Sequence, residues 1–259
     1  MRPFRSLFAP LLAVGVMAGG LLALPAAAQD ETPSAPSQTW SFGGLFGTPD
    51  IRSAQRGFQV YSEVCSNCHS MHQMHYRDLS ALGFTEAEVT AIASTFTVPQ
   101  GTDDSGQPKE GPATPADQFR SPFPNDKAAR AALNGALPPD LSLIINARPD
   151  GANYVYGILT GYAQPPAGFT MGEGMNYDAY FPGHQIAMPQ PLTDGRVTFT
   201  DGTPDTLSQE ARDVVTFLYW TANPETAERK AMGIRIILFL ILLTGVTYAV
   251  KRKIWSDVH

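Results

Sequence analysis

Five consecutive residues, Cys65-Ser66-Asn67-Cys68-His69, carry the clearest chemistry in the chain. Two thiols three positions apart, followed at once by an imidazole, are what covalent attachment of a c-type haem requires. Each thiol adds across one porphyrin vinyl group, and the histidine is held beneath the ring with a nitrogen on iron. The implied cofactor is one covalently bound haem c, with Cys65 and Cys68 as thioether positions and His69 as the first axial ligand. These are the only two cysteines. A disulfide framework is therefore excluded, and a four-ligand zinc site would be short of thiolates. A redox or zinc CxxC with an unrelated histidine behind it is the competing assignment.

The second iron ligand decides between electron transfer and chemistry. An open site binds small molecules, whereas a thioether closes it and raises the potential. Of eight methionines, Met1 and Met17 fall at the N-terminus and Met232 at the start of an apolar stretch. Met71 and Met74 follow His69 too closely to reach the opposite face. Met171, Met175 and Met188 remain, with His184 as a further candidate. Met188 stands out because Ile186-Ala187-Met188-Pro189 is apolar before it and proline-stiffened after it. His72 and His75 have the spacing of a metal pair. With no acidic or cysteine partner nearby, they are expected to face solvent.

The elements that must position these residues are short helices. Residues 29–49, rich in Pro, Ser, Thr and Gly, form a linker or extended arm. Asp50 is an N-cap for a helix whose Ile51, Ala54, Phe58, Tyr61 and Cys65 share one face. Thr85-Glu86-Ala87-Glu88 is a capping box, with Val89, Ile92 and Phe96 turned inward behind it. Residues 97–124 are polar and Pro/Gly-rich, a surface loop with little core. Asn125 caps a helix over Asp126–Leu133, Pro138-Pro139-Asp140 sets a rigid turn, and Tyr154–Leu159 forms another helix before Gly161. Tyr162–Asp205 is irregular, with one small hairpin where Val197 and Phe199 alternate with polar neighbours; loops this long normally serve a function. Thr206–Trp220 is the last helix before the break at Asn223-Pro224. The fold class is all-α, a c-type cytochrome fold with long irregular loops and one C-terminal transmembrane helix.

The ends of the chain give an address. Arg2 and Arg5, an apolar Leu7–Leu24 stretch and Ala26-Ala27-Ala28 make residues 1–28 a cleavable secretory signal, with an uncleaved anchor as the alternative. Met232–Val250 is a 19-residue run carrying one charge, Arg235, enough to cross about 30 Å of hydrocarbon. Lys251-Arg252-Lys253 follows, and the positive-inside rule puts that end in the cytoplasm. The expected organisation is a haem domain over 50–230 on the periplasmic side of the inner membrane, a span over 231–250 and a cytoplasmic tail over 251–259. Residues 29–234 hold 12 basic and 23 acidic side chains. That acidity argues against nucleic acid as a partner and suits a basic protein.

The ordered motifs resemble the cytochrome c1 family, the haem subunits of cytochrome bc1 complexes. They run from Arg56-Gly57-Phe58-Gln59-Val60-Tyr61 and the CSNCHSM block through Asn134-Gly135-Ala136-Leu137-Pro138-Pro139-Asp140. Leu159-Thr160-Gly161-Tyr162, Tyr180-Phe181-Pro182-Gly183, Ile186-Ala187-Met188-Pro189 and the Lys251-Arg252/Trp255-Ser256 end complete them. The resemblance implies Met188 as the sixth ligand and Pro139 packed beside the proximal imidazole, whose second nitrogen donates to a nearby carbonyl. It implies Arg148 and Tyr154 as partners of the haem propionates, with Arg120 as a competing guanidinium. It also implies cytochrome b and a Rieske iron–sulfur protein as neighbours and a basic cytochrome c as electron acceptor. The chain would be no enzyme by itself but a redox subunit of quinol–cytochrome c oxidoreductase. Pro149-Asp150 and Gln190 depart from the family's usual residues, and a loop disulfide of some bacterial members is impossible here. The rival functions are an independent membrane-tethered electron carrier and a haem enzyme or sensor with an open sixth site.

Overall fold

A computed structural model describes residues 32–256, and the proposed signal over 1–28 lies outside them. Six helices run in order: α1 Ile51–Glu63, α2 Glu86–Ser94, α3 Asp126–Ala132, α4 Gly151–Thr160, α5 Leu207–Ala222 and α6 Thr226–Ile254. Two small antiparallel hairpins sit between them, β1 Thr97–Thr102 with β2 Pro108–Pro112, and β3 Asn176–Tyr177 with β4 Gln185–Ile186. The described residues are mostly helical, as expected, with strand among them confined to these pairs.

Helix starts follow the local chemistry. Asp50 accepts from the Ser53 amide at 2.9 Å and Asn125 from that of Ala128 at 3.0 Å. Thr85 and Glu88 close a reciprocal capping box, and Thr206 accepts from the Gln209 amide. Each satisfies amides that the first helical turn leaves without partners.

The core is built on α1 against α5. Gly57 permits their approach: a Cβ there would lie 1.9 Å from the Asp213 carbonyl oxygen. Around that crossing Phe58, Tyr61, Phe119 and Phe217 pack ring against ring at 5.6–5.9 Å. A charged clamp closes it. Arg56 binds the buried Asp213 through Nε at 2.7 Å and Nη2 at 3.0 Å, and reaches Asp201 at 2.9 Å.

Two expectations change. The hairpin expected at Val197 and Phe199 is absent; both side chains are buried in a turn segment whose Val197 amide donates to the buried Glu210 at 2.8 Å. Their alternation reflects separate burial rather than a strand. The 97–124 segment instead contains β1 and β2, almost wholly exposed. The stretch after His69 forms a tight 3₁₀ helix over Tyr76–Leu82 whose Tyr76, Leu79 and Leu82 are buried.

After Asn223-Pro224 the chain enters α6, 29 residues long, or about 44 Å at 1.5 Å per residue. It is the one helix among the described residues long and apolar enough to cross a membrane, with a mean hydropathy of 2.1 over its best window and none of that window buried. This fits a single-pass membrane anchor.

Candidate haem site

The Cys-Ser-Asn-Cys-His motif is the C-terminal continuation of α1. Helical hydrogen bonding ends at Val64, and Cys65–Asn67 tighten into one 3₁₀ turn. The amides of Cys68 and His69 both donate to the Cys65 carbonyl, at 3.1 and 2.9 Å. Asn67 Nδ2 covers the Glu63 and Val64 carbonyls, and Ser66 Oγ covers that of Ser62. The residues between the cysteines thus cap the helix, and the two thiols stand free of each other. Burial and the neighbouring Cys68 push the free Cys65 thiol up to about 12.

His69 is oriented from the far side of the sequence. Its Nδ1 lies 2.8 Å from the Pro139 carbonyl. A carbonyl can only accept, so the proton sits on Nδ1 and the lone pair is left on Nε2. Burial lowers the His69 pKa against the opposing pull of Pro139 and Asp140, keeping the ring in the neutral form that binds iron. Pro139 is held there through Asp140. Asp140 Oδ2 accepts from Ser70 Oγ at 2.9 Å and from the His72 amide at 2.8 Å, and Oδ1 accepts from the Ser142 amide at 2.9 Å. Burial opposes ionisation of Asp140, yet the bonds from Ser142, His72 and Ser70 outweigh it and depress its pKa.

The same carboxylate corrects the reading of the nearby histidines. His72 Nδ1 lies 2.8 Å from Asp140 Oδ2 and Nε2 lies 2.9 Å from Ser121 Oγ, while His75 faces Asp78 at 3.7 Å. Both have acidic partners, one of them 68 residues along the chain, and the two rings turn to different carboxylates rather than to one metal.

One buried hydroxyl asks for a partner. Tyr61 is 2% exposed and its hydroxyl has none among the described residues. Burial, and after it the charges at Cys65 and Tyr76, drive its pKa up. A buried orphan donor is costly, and this one stands one helical turn before Cys65. A haem attached through Cys65 would begin within one helical turn of this residue. Together with two free thiols and a tautomer-locked His69, this fits a covalent haem. Sequence reasoning took Tyr61 for an ordinary core residue; the four-residue offset from Cys65 was the only available signal.

Met188 is half-buried, and its backbone is doubly held. Its carbonyl accepts from Tyr162 Oη at 2.9 Å and from Asn176 Nδ2 at 3.3 Å. The β3–β4 pair places Asn176 opposite Ile186, two residues before Met188. Behind it Asp178, wholly buried, accepts from the Tyr180 and Phe181 amides at 2.9 Å each. Its other oxygen has no partner among the described residues, and burial raises its pKa. Of the alternatives, His184 stacks on Tyr177 at 5.5 Å with Nδ1 against the Asp178 carbonyl at 3.3 Å. Met71 and Met74 are buried in the core.

The expected propionate partners lie more openly. Arg148 is exposed and its guanidinium donates to the Ala147 carbonyl at 3.0 Å; Tyr154, in the first turn of α4, is half-buried. Arg120 is exposed too, with its amide on Tyr76 Oη at 3.3 Å.

Comparison with known proteins agrees with this geometry. Residues 40–258 match the model of the Cytochrome C1 family. Cytochrome c1 of Rhodospirillum rubrum is 46% identical over 261 residues, covering 94% of this chain and 96% of that protein. Cytochrome b/c1 of Bradyrhizobium diazoefficiens is 42% identical over 274 residues, covering 96% of this chain and 40% of that longer protein. The mitochondrial cytochrome c1 heme protein of Saccharomyces cerevisiae is 45% identical over 225 residues, covering 86% and 73%. The CxxCH turn, the locked imidazole and the apolar C-terminal helix thus sit in a chain that belongs to the cytochrome c1 family, the electron-transfer subunits of bc1 complexes that carry covalent haem c.

Proposed function

We propose that the chain passes single electrons from a Rieske iron–sulfur protein to a basic c-type cytochrome, with cytochrome b as its membrane neighbour. The haem supplies the one-electron couple; the protein supplies its attachment, its axial ligands and its field. Cys65 and Cys68 form the thioethers, and His69 and Met188 are the axial ligands. Pro139 packs at the proximal ring, and Arg148 and Tyr154 meet the propionates. The chain breaks no substrate bond itself; quinol oxidation belongs to the assembled complex.

The observation that carries this reading is the 2.8 Å contact between His69 Nδ1 and the Pro139 carbonyl. It frees the other nitrogen for iron and adds basicity to it. The doubly held Met188 carbonyl supports a thioether as the opposite ligand, closing the site to small molecules. Lys251, Arg252 and Lys253 in the last turn of α6 support a cytoplasmic C-terminus, and with it a periplasmic haem domain after removal of residues 1–28.

Purification in mild detergent tests the assembly: cytochrome b and an iron–sulfur protein should come with the chain. A chain that purifies alone and still reduces an oxidase would be the independent carrier instead. The oxidised protein should show the weak red absorption band of thioether-ligated ferric haem and bind carbon monoxide slowly when reduced. Absence of that band together with fast carbon monoxide binding would mean an open sixth site.

A further inference from the structure

The arm before α1 is anchored to the protein at Gln38, Trp40 and Phe42, and one loop in it inverts the usual arrangement of polar and apolar groups. The Gln38 amide and Trp40 Nε1 both donate to Asn153 Oδ1 on α4, at 2.9 and 2.8 Å. Trp40 stacks on Phe42 at 5.3 Å, and Phe42 on Tyr219 of α5 at 3.6 Å. The chain then closes a tight loop over residues 43–47. Gly44 has φ +66°, and a Cβ on Gly47 would lie 1.9 Å from the Gly43 carbonyl oxygen. Lys230 Nζ binds the carbonyls of Phe42, Gly44 and Gly47 at 2.9, 2.8 and 2.7 Å. All three ammonium donors are used. The loop's polar backbone therefore turns inward onto a cation, while its two side chains, Leu45 and Phe46, are 63% and 75% exposed.

Lys230 lies in α6, two residues before the apolar run that begins at Met232, or about 3 Å along the axis. Counting back from Lys251, about 20 residues are needed to cross the hydrocarbon, which puts Lys230 at its outer boundary. A loop tied to Lys230 is fixed at the same depth. Backbone polar groups satisfied within the protein are what contact with lipid demands. Arg229 and Arg235, both exposed beside it, offer charge to lipid phosphates.

We infer that loop 43–47 is a second membrane contact, with Leu45 and Phe46 seated at the headgroup–acyl boundary of the outer leaflet. The contact fixes the haem domain against the bilayer at a point away from the α6 axis, limiting its tilt. The inference rests on α6 crossing the membrane and is independent of which atoms ligate the iron.

The test is photocrosslinking in native membranes holding the whole complex, with benzoylphenylalanine replacing Phe46. The same probe at Phe239 and Ile241, on opposite faces of α6, reports the span itself. Irradiation should give phospholipid adducts at Phe46 and at one or both α6 positions, read as mass shifts, and Lys230→Met should reduce the Phe46 adduct several-fold. Lipid adducts on α6 with none at Phe46, or a Phe46 adduct to another protein chain, would overturn the loop contact while leaving the span intact. Absence of lipid adducts at all three positions would overturn the span and the loop contact together.

Discussion

His69 and Met188 sit in differently built regions. The His69 side is a direct extension of α1, whose packing on α5 forms the centre of the core, and its second support, Pro139-Asp140-Leu141, is lashed to residues 70–72 by three hydrogen bonds and the contact of the His72 ring with Asp140. The Met188 side is an irregular stretch with two paired residues per strand, held at Met188 by two side-chain donors to one carbonyl. With no disulfide available, prolines and these few bonds must hold that segment. The difference teaches that His69 is positioned by the core and Met188 by a few local contacts.

The largest expected effect comes from Met188→Leu. If Met188 closes the iron site, the reduction potential should fall by hundreds of millivolts, within the ~0.8 V that axial ligation spans, with haem still covalently bound. An unchanged potential in redox titration would remove Met188 from the iron. Next is Arg56→Met, which leaves Asp213 buried without its guanidinium. Breaking such a pair costs about 3 kcal/mol or more, so denaturant unfolding should shift markedly while the red absorption band persists. Loss of the band would show that the core does not insulate the Met188 side.

A smaller effect is expected of Tyr162→Phe, which takes the 2.9 Å donor from the Met188 carbonyl. One hydrogen bond is worth about 1 kcal/mol, so carbon monoxide should enter the reduced site about fivefold faster or more tightly, with unfolding little changed. No change would mean that Asn176 and the prolines suffice.

The smallest effects pair two carboxylates with opposite shifts. Asp140 is depressed on folding, so its contribution to stability is present above the ordinary carboxylate pKa of about 4 and fades as pH falls through the lower folded value. Asp178 is raised by burial, so its contribution is complete below about pH 4 and is lost as pH rises through the higher folded value. Asp140→Asn should therefore destabilise most near neutral pH, and Asp178→Asn should gain on the native protein as pH rises. Thermal unfolding of the two variants across about pH 4 to 7 checks the opposite slopes; slopes of one sign would erase the contrast between the regions.

How much of this was legible in the residues alone follows from the range of each interaction. Caps at Asp50, Thr85 and Asn125 act over three residues and were placed correctly. The pattern at Val197 and Phe199 misled, because one-by-one burial around Glu210 imitates strand alternation. The arm read as a linker because the partners of Trp40 and Phe42, Asn153 and Tyr219, lie more than a hundred residues away. His72 was denied an acid because Asp140 is near only in space.

By itself the sequence determined the covalent chemistry: two thiols and an imidazole at fixed offsets on one chain segment, and an apolar run long enough for a bilayer. Both are properties of neighbouring residues, set by bond lengths and helical rise. Only the tertiary structure decided which carbonyl orients His69, which hydroxyl is left waiting beside Cys65, and what braces Met188. Those are meetings between segments 12 to 70 residues apart or between buried atoms, and packing, not spacing, brings them together.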